Sequence, residues 1–148
     1  QKASAFIPGT AFTADVMVGY PTESVADFMD TYDLINKLPI VDLHVFPYSA
    51  RAGTSAALME PQVPSDEKHQ RSGALLEIGK KKKINFMQSF IGKELRVLVE
   101  RQLAGDSFLG ISDNYIEVHF SARKDLLGEF VQVTLTEAGN DFGAGVID

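Results

Sequence analysis

A strand–helix–strand pattern between residues 14 and 46 restricts the folds open to this sequence more than any other feature. Ala14–Val18 (ADVMV) is a short, mostly apolar run ending at Gly19-Tyr20-Pro21, the pattern of a buried strand entering a turn. In the following TESVADFMDTYDLINKLP, Val25, Phe28, Met29, Tyr32 and Ile35 recur at helical spacing and make one apolar stripe. Ser24 and Asp27 supply an N-terminal cap, and Asp27, Asp30 and Asp33 lie mostly off the stripe. Pro39 closes the helix, because the residue before a proline is pushed out of the α region. Ile40–Phe46 (IVDLHVF) is a second strand-like run, stopped by Pro47. The three segments make a βαβ unit of parallel strands with a right-handed crossover. Two parallel strands cannot bury both faces and both edges, and parallel sheets are covered on both sides. The unit therefore predicts further strands, upstream of Gln1 or on a partner chain.

Residues 47–64 form a loop rich in Pro, Gly, Ser and Ala. Ser65 is placed to cap a helix that runs to about Phe90, with Asp66 and Glu67 at its positive end. Leu75, Ile78, Ile84, Phe86, Met87 and Phe90 are its packing positions, and Gly92 is a natural stop. From Lys93 the apolar period changes to two. Leu95, Val97 and Val99 alternate, as do Ile116, Val118 and Phe120, then Val131, Val133 and Leu135, with Gly105, Gly110 and Gly128 beside these runs. That pattern predicts a small antiparallel barrel. The expected fold is thus α/β plus all-β: a parallel α/β unit that lacks some of its strands (1–64), a connecting helix (65–92) and a small, OB-like antiparallel β-barrel (93–148).

Composition removes several chemistries. The chain has no cysteine, which excludes disulfides, thiolate nucleophiles and cysteine-ligated zinc or iron–sulfur clusters within it. No apolar run approaches the ~20 residues of a membrane span, and no export signal opens the sequence, so a soluble, cytoplasmic protein is expected. The formal charge of -6 argues against a nucleic-acid binder, but its distribution is uneven. Residues 1–64 carry 3 basic and 7 acidic groups, residues 65–92 carry 6 and 3, and residues 93–148 carry 5 and 10. The middle segment alone is basic. His44, His69 and His119 lack a metal-ligand pattern, and His44 reads as a core histidine in a buried strand.

Four segments occur in order: GYPTES (19–24), LHVFPYSARAGT (43–54), QSFIGKELRVLVE (88–100) and SDNYIEVHF (112–120). Together they resemble the distal half of the radical-SAM tRNA methylthiotransferases, across roughly residues 11–136. The first two are similar to the last strands of that family's radical-SAM barrel. The last two are similar to its TRAM domain, a small β-barrel implicated in RNA binding. HVFPYS most resembles the branch acting on threonylcarbamoyl-adenosine beside the anticodon of tRNA. A branch modifying a ribosomal protein is the nearest competitor, and Arg51 favours the tRNA branch. The resemblance implies S-adenosylmethionine and two [4Fe–4S] clusters as cofactors of a parent enzyme whose cysteine ligands lie upstream. It also implies tRNA and the missing N-terminal part as partners, and a chain inactive alone.

By the same resemblance GYPTES occupies the family's Gly-Phe-Pro-Gly-Glu-Thr turn, where Val18 and Gly19 would meet the cofactor's adenine. Thr22 stands where the family usually has glycine. Arg51, on a loop after a parallel strand, has the chemistry to grip phosphate or carboxylate bidentately, with Tyr48 and Ser49 as companions; a surface arginine with a local partner is the alternative. Lys80–Lys83 is the one dense basic run, and Lys80 and Lys83 are candidates for the tRNA backbone. Four consecutive helix positions sweep about 300°, so the run cannot form a single stripe, and a solvated face with one stem lying over apolar surface is its plainer reading. In the barrel, Lys93, Arg96, Asn114 and Tyr115 are candidates for phosphate and stacking contacts, with a half-buried strand residue as the plainer reading of Tyr115. Two rival readings remain: a free-standing RNA-binding module with an α/β scaffold, and an α/β remnant completed by another polypeptide.

Overall fold

The first two strands pair in parallel, β1 (Thr13–Val18) on β2 (Asp42–Pro47), in a register running from Thr13 opposite Asp42 to Val18 opposite Pro47. The computed structural model describes residues 2–147. They divide into two units: Phe12–Lys82 with the residues through Pro8, and Lys83 onward with Gly9–Ala11.

In the first unit a short helix, α1 (Lys2–Phe6), precedes the βαβ element. Helix α2 (Val25–Lys37) begins in a capping box: the Ser24 hydroxyl accepts from the Asp27 N–H (3.2 Å), and the Asp27 carboxylate accepts from the Ser24 N–H (2.9 Å). Hydrogen bonds from the Ser24 side chain and then its backbone hold the Asp27 carboxyl below the usual carboxylate range. The buried stripe of α2 is narrower than its sequence pattern. Phe28, Tyr32 and Ile35 pack inward, whereas Val25 and Met29 are exposed. The i, i+4, i+7 row is enough to cover a sheet only two strands wide.

Helix α3 (Ser65–Gln88) lies on the same face of that sheet as α2, through Leu75 and Ile78. Ser65 is its first residue and not its cap; Pro64 supplies the carbonyl that accepts from the Lys68 N–H. The two helices bury Ala14, Val16, Val18, Leu43 and Val45. Strand alternation sends Thr13, Asp15, Met17, His44 and Phe46 to the opposite face, where all five are exposed. Among the described residues, one side of the sheet is therefore covered and the other is not. Within the basic run, Lys82 donates to the Asn36 and Leu38 carbonyls (3.0 and 2.9 Å) and so caps the end of α2. Burial holds its ammonium below the ordinary lysine value.

In the second unit, β3 (Glu94–Gln102), β4 (Ser107–Ser112), β5 (Glu117–Ser121), β6 (Phe130–Ala138) and β7 (Gly143–Val146) form a closed barrel in the order β3-β4-β5-β7-β6. Leu95, Val97, Val99, Ile116, Val118, Phe120, Val133 and Leu135 fill it as their alternation predicts, joined by Phe108 and by Met87 from the end of α3. The barrel is not antiparallel throughout. Its closing seam pairs β5 with β7 in parallel, Val118 with Gly143 and His119 with Ala144. The reason is chain order: β7 runs antiparallel to β6 and is inserted between β6 and β5.

Candidate functional site

At the carboxyl end of β1 the chain turns through two left-handed residues, Gly19 (φ 70°) and Thr22 (φ 71°). A buried ion network holds this turn. Arg71 on α3 pairs with the Glu23 carboxylate and donates to the Glu23 carbonyl (3.1 Å) and to Glu67 (3.0 Å). Glu23 also accepts from the Gly19 N–H (2.7 Å). The Gly19 face that lacks a side chain is filled by the stem of Lys68, whose ammonium donates to the Tyr48 carbonyl (3.1 Å). Lys68 thus occupies the space where a Gly19 side chain would stand, and Val18 is fully buried. Glu23, Lys68 and Arg71 were missed in the sequence because their partners lie up to 48 positions away.

Thr22 carries a β-branched side chain in a conformation that costs roughly 1–2 kcal/mol. Thr22→Gly is therefore expected to raise stability by about 1 kcal/mol, read as a higher denaturation midpoint.

Beyond the end of β2, Tyr48, Ser49 and Arg51 come together with Met17, Phe46, Pro47, Thr54 and Ala56 around an open groove of about 320 Å³. Its Met17 and Phe46 belong to the uncovered face of the sheet. The Arg51 carbonyl is fixed by the Thr54 N–H (3.2 Å) and hydroxyl (2.8 Å), and Thr54 in turn caps a 3-10 turn, Ser55–Leu58. The Arg51 side chain is exposed and makes no ion pair or hydrogen bond among the described residues. Tyr48 is buried, packed edge-on against Tyr20 at 5.4 Å, and its hydroxyl has no partner among the described residues. On the same uncovered face, His44 is a cross-strand neighbour of Asp15, its Nδ1 3.3 Å from the Asp15 Oδ1. Its side chain is 76% exposed, so the core position expected of it is wrong. An alternating strand has two faces, and only one is packed here.

On the barrel, Arg96 lies 3.9 Å from the centre of the Phe130 ring and 3.6 Å from Asp113. Asp113, Asn114 and Tyr115 form the β4–β5 turn, in which the Ser112 hydroxyl donates to Asn114 (2.6 Å). Tyr115 sits on that turn at φ 62° and is 82% exposed; it is not a half-buried strand residue. The Lys93 ammonium lies over the Phe90 ring, 5.0 Å from its centre. Lys80 is exposed and Lys83 half-buried on α3. A second groove, about 460 Å³, opens beside the β5–β7 seam next to His119, which stacks on Phe142 at 3.8 Å.

No group of three potential metal ligands occurs among the described residues, and a cysteine-free chain offers no thiolate to a cluster. No described helix is long and apolar enough to cross a membrane. No protein-family model matches the chain. Relatives do match. A threonylcarbamoyladenosine tRNA methylthiotransferase of Bacillus subtilis is 34% identical over 149 residues, covering 98% of this chain and 33% of the relative. Its counterpart in Aquifex aeolicus is 37% identical over 130 residues, covering 86% and 30%. These homologues are tRNA methylthiotransferases. A tRNA-2-methylthio-N(6)-dimethylallyladenosine synthase of Lachnoclostridium phytofermentans is 36% identical over 133 residues, covering 88% and 29%. The chain spans about a third of the length of the curated relatives it matches. Similarity to methylthiotransferases thus extends through both units, the α/β unit and the closed barrel.

Proposed function

We propose that this chain is the distal part of a tRNA methylthiotransferase, in which β1 and β2 complete a larger α/β barrel and the closed barrel, as a TRAM-like module, docks tRNA. The observation that carries this reading is the one-sided sheet. All its helical cover is on one face, as on the outside of an α/β barrel. The uncovered face and its groove then belong to the barrel interior and to the carboxyl-end mouth, where such barrels bind their ligands. Arg51 would hold a phosphate or carboxylate of the tRNA substrate there, with Tyr48 and Ser49 shaping the groove. Val18 and Gly19 would back the S-adenosylmethionine site from the strand end, offering shape and no free Gly19 N–H. The cluster ligands have to come from the rest of the enzyme, so no radical step is assigned to these residues.

Docking of the anticodon arm is ascribed to Arg96, Asn114 and Tyr115, with Lys93, Lys80 and Lys83 as phosphate contacts. The acidic balance of residues 93–148 confines that role to one face. HVFPYS and Arg51 favour a threonylcarbamoyl-adenosine substrate.

The test is a chimera in which the chain replaces the matching third of the Bacillus subtilis relative. Mass spectrometry of digested tRNA should detect the methylthio nucleoside. Arg51→Ala should lower its formation by roughly tenfold to a hundredfold, the worth of one or two charge-assisted hydrogen bonds. A chimera that folds and binds both clusters yet forms no product would overturn the reading.

A further inference from the structure

The uncovered face of the β1–β2 sheet holds a pair of groups that packing does not account for. Asp15 and His44 are direct register partners on adjacent strands, with Nδ1 3.3 Å from Oδ1 and three-quarters of both side chains exposed. An exposed pair of this kind contributes little to the stability of a sheet. The residues next along the same face are Met17 and Phe46, again register partners, and these line the Arg51 groove. His44 and Phe46 are two residues apart, so the imidazole lies about 6.6 Å along the strand from the groove's apolar floor. Three kinds of group therefore follow one another on one surface: an Asp–His pair, an apolar platform and a guanidinium without a partner among the described residues.

The chemistry of each group restricts the ligand. A carboxylate beside Nδ1 favours the ring proton on that nitrogen, which leaves Nε2 of a neutral imidazole as an acceptor. Nε2 then recognises an N–H donor. Met17 and Phe46 offer an apolar surface to a flat ring, and Arg51 takes an anion. We propose that His44, oriented by Asp15, is a specificity-determining residue that accepts a hydrogen bond from the N–H of an acylated aminopurine, while Arg51 takes the carboxylate at the other end of the ligand. This rests on the function proposed above, for which threonylcarbamoyl-adenosine is such a ligand. Asp15 is a positioning residue, acting through the tautomer and orientation of the ring.

The experiment uses the 148-residue chain and the nucleoside N6-threonylcarbamoyladenosine, with unmodified adenosine as the comparison. Imidazole resonances are followed by NMR, His69 and His119 serving as internal reporters of the fold. The expected result is a saturable shift confined to His44, with a nitrogen signature of the Nδ1–H tautomer. His44→Ala should weaken binding about tenfold, and His44→Gln, which keeps an acceptor, should restore most of it. Asp15→Ala should weaken binding with the His44 ring still present, and adenosine should bind at least tenfold less tightly.

Arg51-dependent binding with a silent His44, or with an unaffected His44→Ala variant, overturns the inference and leaves the proposed function intact. So does a chain that ignores the nucleoside while its chimera still modifies tRNA in an Arg51-dependent manner. Failure of both the nucleoside titration and the chimera overturns both readings.

Discussion

Replacing Arg71 by methionine is expected to lower the free energy of unfolding by about 3–5 kcal/mol, the usual effect of removing one partner from a buried ion pair. Methionine fills much of the volume over Phe28, so little of the loss comes from packing. The loss comes from Glu23. Its side chain is 13% exposed and in the native chain accepts from Arg71 and the Gly19 N–H. Without the guanidinium a carboxylate is left in a desolvated site with one amide donor, and it must be protonated or pull the turn open. Equilibrium unfolding by denaturant measures the effect, and Glu23→Gln provides the check. If the pair acts as a unit, the Arg71→Met/Glu23→Gln double variant should be less destabilised than the sum of the singles. Additive effects would show that the two residues act separately. Because domain stabilities lie around 5–15 kcal/mol, the single variant should leave the α/β unit near its unfolding threshold.

The second large effect is expected in the barrel. A Cβ on Gly110 would lie 2.5 Å from the Leu98 carbonyl oxygen and 2.5 Å from a methyl of Val97. The oxygen belongs to β3, whose register against both β4 and β6 runs through Leu98, so it cannot retreat without disturbing three strands. Gly110→Ala should cost about 3 kcal/mol, the upper end for forcing a methyl into a packed interior. The midpoint of thermal unfolding of the barrel should then fall by on the order of 15 °C. Gly73→Ala is the matched control, because nothing lies within 4 Å of its added methyl in the middle of α3. There the better helix propensity should raise stability by up to about 1 kcal/mol.

Period and punctuation made much of the fold legible. The apolar run 14–18, the capping pair Ser24/Asp27, the stop at Pro39 and the three alternating series each found their element. The two strands that escaped are those whose signals those patterns lack. In β4, Phe108, Leu109 and Gly110 are all buried, so alternation vanishes; β7 is GAGV, in which glycine passes for a turn. The site divided along similar lines. Tyr48, Ser49 and Arg51 could be grouped because they are neighbours in sequence. Lys68, Arg71 and the Asp15–His44 pair could not, because the partners depend on a crossover and a strand register that only the fold supplies. His44 shows the limit most clearly. An apolar strand read from one chain does not reveal which of its faces another element will cover.

In a sheet of two strands, both are edges. β1 and β2 each have one flank paired and, among the described residues, one flank with no strand beside it. On the uncovered face between those flanks stand the apolar Met17 and Phe46, both exposed. Expressed by itself, such a surface invites a second copy to add its own strand or to lay its apolar side chains against it. Self-association that grows with concentration is thus a built-in liability of this α/β unit, and the barrel, whose strands form a ring, does not share it.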